Sequence, residues 1–224
     1  MKFTASCAKL SGLKTDCLIL PTGSKLKNSA SLIDKTYKGL IAATIKSGEF
    51  TGKSGQVVTL NLPETDIKRL ILVGTDGIAN NRQRNKAINA ACAALNKTKA
   101  KTALWVGEGL GDAEAVASKI AQSTITSSYS YKKNAKQKTS NLTSVTFWTA
   151  DQKAAKAGLA FGKAVGLGMN ATRKLGNLPA NICTPSYLAE QAVALDNDNP
   201  TITTEILDRA QMEQLKMDSL LSDA

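Results

Sequence analysis

The sequence predicts a layered α/β domain with a mostly parallel sheet, followed by a long connecting helix and a small helix–strand–helix stub. Three observations carry this. Up to about residue 150, short apolar strand candidates alternate with amphipathic helical segments, and strands joined through helices form parallel sheets with helices on their faces. From Asp151 an unbroken helical pattern runs to about Leu175. Beyond it only two helices and one strand are legible, too little to bury a core of their own. The expected division is therefore 1–150, 151–175 and 176–224.

Lys2 to Cys7 alternates polar and apolar residues as a strand does, and Asp16 to Leu20 is a short apolar strand ending at Pro21. Asp34 to Ser47 carries Tyr37, Leu40, Ile41, Thr44 and Ile45 at helical spacing and is stopped by Gly48. Gln56 to Leu62 and Arg69 to Val73 are strands, the second entering the turn Gly74-Thr75-Asp76-Gly77. Asn81 to Leu95 is an alanine-rich helix, and Thr102 to Val106 a buried strand. Asp112 caps a helix reaching Thr126, and Thr143 to Thr149 is the last strand of the domain. In the connecting helix, Gly158, Gly162 and Gly166 recur every four positions, so one face admits another backbone at close range. Lys153, Lys156, Lys163, Arg173 and Lys174 make that helix a poor bilayer span. The stub reads as a helix from Ser186 to Leu195 started by Thr184-Pro185, a strand from Thr201 to Leu207, and a helix from Arg209 to Lys216.

With 224 residues and 42% hydrophobic content, the chain has room for one ordinary domain and part of a second. The N-terminus lacks the continuous apolar stretch of a secretory signal, and no apolar run approaches the roughly 20 residues of a membrane span, so a cytoplasmic location with no membrane partner is expected. Cys7, Cys17, Cys92 and Cys183 form no Cys-x-x-Cys pair and are expected to be buried reduced thiols. With no histidine present, Ser-His-Asp and Cys-His catalysis are excluded.

The net charge of +11 is unevenly placed. No acid lies between Asp76 and Glu108, where Arg82, Arg84, Lys86, Lys97, Lys99 and Lys101 fall. None lies between Glu114 and Asp151, where Lys119, Lys132, Lys133, Lys136 and Lys138 fall. Such blocks are either a solvated surface or an attraction for phosphates. Ser127 to Asn141 is a polar, basic stretch read as an exposed loop. Gly107-Glu108-Gly109-Leu110-Gly111-Asp112 follows a strand and precedes a helix, the context of a phosphate-cradling turn. Its spacing is not that of the dinucleotide fingerprint, and Glu108 and Asp112 would repel a pyrophosphate. Asp76 has no partner acid at recognisable spacing, so turn formation accounts for it.

One segment is more specific. Asn177-Leu178-Pro179-Ala180-Asn181-Ile182-Cys183-Thr184-Pro185 places two asparagines, two prolines and a threonine at fixed intervals directly after the long helix. It resembles the entry to the catalytic domain of the leucyl aminopeptidases, the two-metal cytosolic exopeptidases. Leu70 to Gly74, Ala160 to Val165 and Glu213 to Met217 resemble, in turn, a strand and turn of that family's N-terminal domain, its linker helix, and the stretch before its first catalytic-domain strand. The resemblance marks Asn177, Pro179, Asn181, Thr184 and Pro185 as structural residues of the motif. It implies a macrodomain-like N-terminal domain, a helical connector and the truncated beginning of a peptidase domain. It also implies two divalent metals, manganese or zinc, and a hexamer in full-length relatives. The family's Asn-Thr-Asp-Ala-Glu-Gly-Arg run does not occur, so no catalytic or metal-binding residue is carried over. This chain is then expected to hold no cofactor, to be inactive alone, and to act through self-association or association with a catalytic domain. The alternatives are a nucleic-acid-binding module using the basic loops and a macrodomain-like binder of a nucleotide or ADP-ribose derivative.

Lys132, Lys133, Lys136 and Lys138 put four cations within seven residues, which predicts weak, sequence-indifferent, salt-sensitive binding to duplex DNA. Fluorescence anisotropy should show weaker binding when all four are replaced by glutamine. Equal binding by both proteins, or insensitivity to salt, would remove the loop as a contact.

Overall fold

The runs Cys17–Leu20 and Leu70–Val73 contain no polar residue, and strands of that composition are stable only when covered on both faces. The computed structural model describes residues 1–10, 12, 14–62, 65–131 and 140–222 and has this arrangement at its centre. Among these residues there are six strands: β1 (Lys2–Ser6), β2 (Thr15–Thr22), β3 (Val57–Asn61), β4 (Ile67–Gly74), β5 (Thr102–Val106) and β6 (Ser144–Trp148). They form one sheet in the order β1-β6-β5-β2-β4-β3. Every neighbouring pair is parallel except β3 and β4.

The register sets Leu18 beside Leu70 on one side and Leu104 on the other. Alternate residues therefore feed two cores. Cys17, Ile19, Ile71, Val73, Ala103, Trp105, Val145 and Phe147 enter one; Leu18, Leu20, Leu70, Leu72, Leu104 and Val106 enter the other. The first core is closed by α3 (Asn81–Asn96), α4 (Ala113–Ser127) and the start of α5 (Gln152–Asn177); the second by α1 (Asn28–Thr36), α2 (Leu40–Lys46) and Phe50. At the start of β2, Asp16 accepts hydrogen bonds from Lys68 Nζ at 2.7 Å and from the Lys101 and Thr102 N–H groups at 2.9 and 3.1 Å, tying β2 to its neighbours. The Lys68 ammonium, followed by the Lys101 N–H, lowers the Asp16 pKa to about 2.

All six strands fall where the sequence places them, as do α3 and α4, and Asp112 Oδ1 accepts the Ala115 N–H at 2.8 Å as the expected cap. The expected single helix Asp34–Ser47 is instead two. Lys38 and Gly39 have φ of 54° and 81°, outside the helical region, and Asp34 Oδ1 accepts the N–H groups of Ile41 and Ala42 at 2.7 and 3.1 Å, starting the second helix. The cysteines also divide. Burial pushes the thiols of Cys17 and Cys92 up to about 12, whereas Cys7 is exposed and Cys183 is half-buried.

The glycine stripe of α5 meets a backbone of the same domain. A Cβ on Gly158 would overlap the Glu114 carbonyl oxygen, and one on Gly162 the Ser118 carbonyl oxygen, both on α4. The first compact unit accordingly runs from Met1 to Arg173 and includes most of α5; the second comprises Lys174–Ala224. The second contains α6 (Pro185–Asp198), α7 (Arg209–Gln214) and α8 (Asp218–Leu221). Here the expected helix–strand–helix stub is corrected: Thr201–Leu207 forms no strand, because no other chain segment pairs with it among the described residues. No helix among the described residues is long and apolar enough to cross a membrane.

Alanine at two positions of α5 should have opposite effects. Gly162→Ala should destabilise the fold by about 1–3 kcal/mol through overpacking, while Gly168→Ala, with nothing within 4 Å, should stabilise it by about 0.5–1 kcal/mol through helix propensity. Urea unfolding midpoints test both. A gain at both positions would mean that α5 does not pack on α4 in this way.

Candidate functional site

Parallel strands expose their C-terminal ends together, and where successive connections leave for opposite faces a crevice opens. In this chain β2 leads to α1 on one face, while β4 and β5 lead to α3 and α4 on the other. The crevice between them has a volume of about 370 Å³ and is lined by Ser24, Lys25, Lys27, Ser29, Asp76 and Glu108, among others.

Its two carboxylates are committed to the chain itself. Asp76 Oδ2 accepts the Ser24 N–H at 2.7 Å, while the Asp76 N–H donates to the Gly52 carbonyl at 2.8 Å and its carbonyl accepts from the Ser54 N–H at 2.9 Å. A Cβ on Gly52 would lie 2.7 Å from Asp76 Oδ2, so the loop leaves no room for a larger residue there. The Ser24 N–H and hydroxyl, and more weakly Lys27, hold the Asp76 carboxyl below its ordinary pKa. Glu108 Oε2 accepts the Ser29 N–H at 3.0 Å in the first turn of α1. Two places where backbone N–H groups would receive an anionic ligand thus hold carboxylates of the protein. The Gly107–Asp112 segment works as a strand-to-helix turn, with Gly109 and Gly111 at φ of 79° and 97° and its two acids capping α1 and α4. Sequence reasoning missed the Ser24–Asp76 and Ser29–Glu108 pairs, whose members lie 52 and 79 residues apart and share no local pattern.

The motif residues build a turn and a helix start. Asn177 ends α5, the Pro179 carbonyl accepts the N–H groups of Ile182 and Cys183 at 2.8 and 2.9 Å across Asn181, and Thr184 Oγ1 accepts the Tyr187 N–H at 3.2 Å with Pro185 in the first turn of α6. None of these residues belongs to the crevice lining. Lys132, Lys133, Lys136 and Lys138 lie outside the described residues; the flanking Tyr129 and Tyr131 are half-buried. Among the described residues, no three or more His, Cys, Asp or Glu side chains are grouped to hold a metal ion.

Residues 18–138 match the model of the cytosol aminopeptidase family, N-terminal domain, and residues 170–223 match that of the same family's catalytic domain. The chain belongs to the cytosol aminopeptidase family. A probable cytosol aminopeptidase of Pseudomonas aeruginosa (strain UCBPP-PA14) is 33% identical over 238 residues, covering 100% of this chain and 48% of the relative. One from Burkholderia multivorans is 36% identical over 227 residues, covering 94% of this chain and 44% of the relative. The chain thus spans about half the length of the curated relatives it matches. A mutant of tomato leucine aminopeptidase superposes with a TM-score of 0.82 at 26% identity, over 96% of this chain and 46% of its own. The bottromycin maturation enzyme BotP, in a structure with Mn, superposes at 0.61 and 20% identity, over 82% of this chain and 36% of its own, a likeness of fold.

In the family's N-terminal domain seen here, the Asp76 clamp gives a pH-dependent stability term. Its folded pKa is lowered, so the stabilisation is present above the ordinary carboxylate pKa and is lost as pH falls through the folded value. Asp76→Asn should lower the melting temperature at pH 7 by no more than a few degrees, because the carboxylate is exposed and its interactions are screened by solvent, and the difference should shrink as pH falls below about 4. A gap that is constant from pH 7 to pH 3 would remove the charged clamp.

Proposed function

We propose that this chain is the non-catalytic N-terminal portion of a cytosol aminopeptidase, with the first elements of the catalytic domain attached, and that it acts by assembling with a catalytic portion. The observation that carries the reading is the contrast between the two units. Residues 18–138, matched as N-terminal domain, lie in a unit with two packed cores, whereas no residue of the second unit is buried among those described. The division into residues 1–150, a connector at 151–175 and the start of a catalytic domain at 176–224 belongs to this reading, and the order of the two family matches, at residues 18–138 and 170–223, supports it. A cytosolic location is supported by the relatives' names.

The family's two-metal hydrolysis needs converging ligands that bind both ions and a water. The described residues supply no such group, so the metals do not fit this chain's own side chains, and no hydrolytic step is derived from them. The manganese or zinc of the full-length enzymes belongs, on this reading, to residues outside this chain. Of the alternatives, a nucleotide or ADP-ribose ligand is disfavoured by the carboxylates of Asp76 and Glu108 at the N–H groups a phosphate would use. DNA binding rests on the lysines of 132–138 and their salt response.

The purified chain should release no chromophore from a leucyl chromogenic substrate, with manganese or with zinc. Metal-dependent turnover that copurifies with the chain and survives removal of host peptidases would overturn the reading.

A further inference from the structure

The first unit leaves the β3 flank of its sheet open beside a basic groove. Hydrogen bonds at the two ends of β3 set its phase: the Gly74 N–H donates to the Gln56 carbonyl and the Leu62 N–H to the Lys68 carbonyl, each at 2.8 Å, so the even-numbered residues face β4. Val57, Thr59 and Asn61 therefore turn their N–H and carbonyl groups outward, and no strand among the described residues lies beyond them. The Val57 side chain packs toward the core closed by α3, while Val58 and Leu60 pack toward the other core. On the α3 side lies a groove of about 710 Å³, with Val57, Ala90 and Ala93 in its wall and Arg69, Lys97 and Lys99 at its rim, and with no acid among its described lining residues. None of these three cations takes part in an ion pair among the described residues. Lys97 and Lys99 belong to the acid-free stretch between Asp76 and Glu108.

We propose that β3 is a docking edge for an extended acidic segment of a partner protein, in which every second residue is acidic and lies over Arg69, Lys97 and Lys99 while the residues between are apolar and continue the Val58 and Leu60 face. The edge calls for a polypeptide, because its outward N–H and carbonyl groups recur every second residue, about 6.7 Å apart, and an added strand matches that repeat. Side chains alternate across a strand, so every second residue of the arriving segment enters the α3-side groove, where the cations call for carboxylates. The intervening residues fall on the opposite side, beside apolar Val58 and Leu60. A second copy of this chain is a poor occupant, since pairing β3 with β3 would bring two cation rims together. A nucleic acid would meet the cations but leave the strand groups and the alanine wall unused.

The test titrates the 224-residue chain into a fluorescein-labelled peptide of alternating glutamate and valine. The expected result is saturable binding at low salt that weakens as salt rises, with amide exchange at Val57, Thr59 and Asn61 slowed by more than about tenfold and that of Leu60, already in the ladder, nearly unchanged. Replacing both Lys97 and Lys99 by glutamine should weaken binding by more than about threefold at an unchanged melting temperature. Thr59→Pro, which removes a donor that faces away from β4, should weaken it by more than about tenfold. Lys163→Gln on α5 should leave it unchanged. Absence of saturable binding at low salt, equal binding of the same peptide N-methylated throughout, or protection at β1 in place of β3 would overturn the proposal. Tighter binding of a duplex DNA of equal charge, without protection of β3, would overturn it in favour of a nucleic acid, and concentration-dependent protection in the chain alone in favour of a second copy. None of these readouts is peptidase activity, so turnover by the isolated chain would count against the functional reading alone.

Discussion

Burial of β2, β4 and β5 on both faces is the constraint from which the first unit follows. Cys17 to Leu20 and Leu70 to Val73 are all 0% exposed. Each large apolar side chain so buried contributes about 1.5–3 kcal/mol, and truncating one to alanine costs about 2–5 kcal/mol, against a whole-domain stability of only about 5–15 kcal/mol. The sheet therefore cannot leave either face uncovered. Helices must lie on both sides, and connections leaving neighbouring strands must diverge. The crevice at the strand ends is a consequence of that divergence, and so are its ready N–H groups, which this chain satisfies with Asp76 and Glu108.

The same requirement explains why α5 belongs to the first unit for most of its length. Ala155 and Leu159 enter the core containing Trp105 and Phe147, while Gly158 and Gly162 let the helix backbone approach α4. Close backbone approach of this kind relies on small residues at four-residue intervals and ends where the stripe does, after which longer side chains take over: Asn170 Nδ2 and Arg173 Nη1 donate to the Ile125 and Thr126 carbonyls of α4 at 3.0 and 3.1 Å. Gly166 still meets Ile125, whereas Gly168 and Gly176 meet nothing within 4 Å. The last part of α5 has no buried residue beyond Gly166.

What the sequence made legible divides along the same physical lines. The strands were readable because their apolar runs and alternation are local, α3 because it is rich in alanine, and α4 and α6 because an Asp or a Thr precedes each as a cap. The break between α1 and α2 was not, since Asp34 looks like a helix residue until its carboxylate is seen serving Ile41 and Ala42. The crevice was illegible for a different reason: its two carboxylate contacts join residues far apart in the chain, and neither Ser24 nor Ser29 sits in a recognisable motif. The Asn177–Pro185 segment is the opposite case. Its turn and cap are local, so sequence alone places them, but nothing local says what the following elements pack against.

That last distinction separates strand composition from strand formation. Arg69–Val73 and Thr201–Leu207 both have the side chains of strands, yet only the former has neighbours within the described residues, in β2 and β3. β-propensity measures how well a residue fits a half-buried pleated surface and has little meaning before the surface exists. A two-stranded pairing is already marginal in water, and a lone extended segment is weaker still. The interactions of Thr204 with Asp196 and with the Ala192 carbonyl tie the segment to α6 without a sheet.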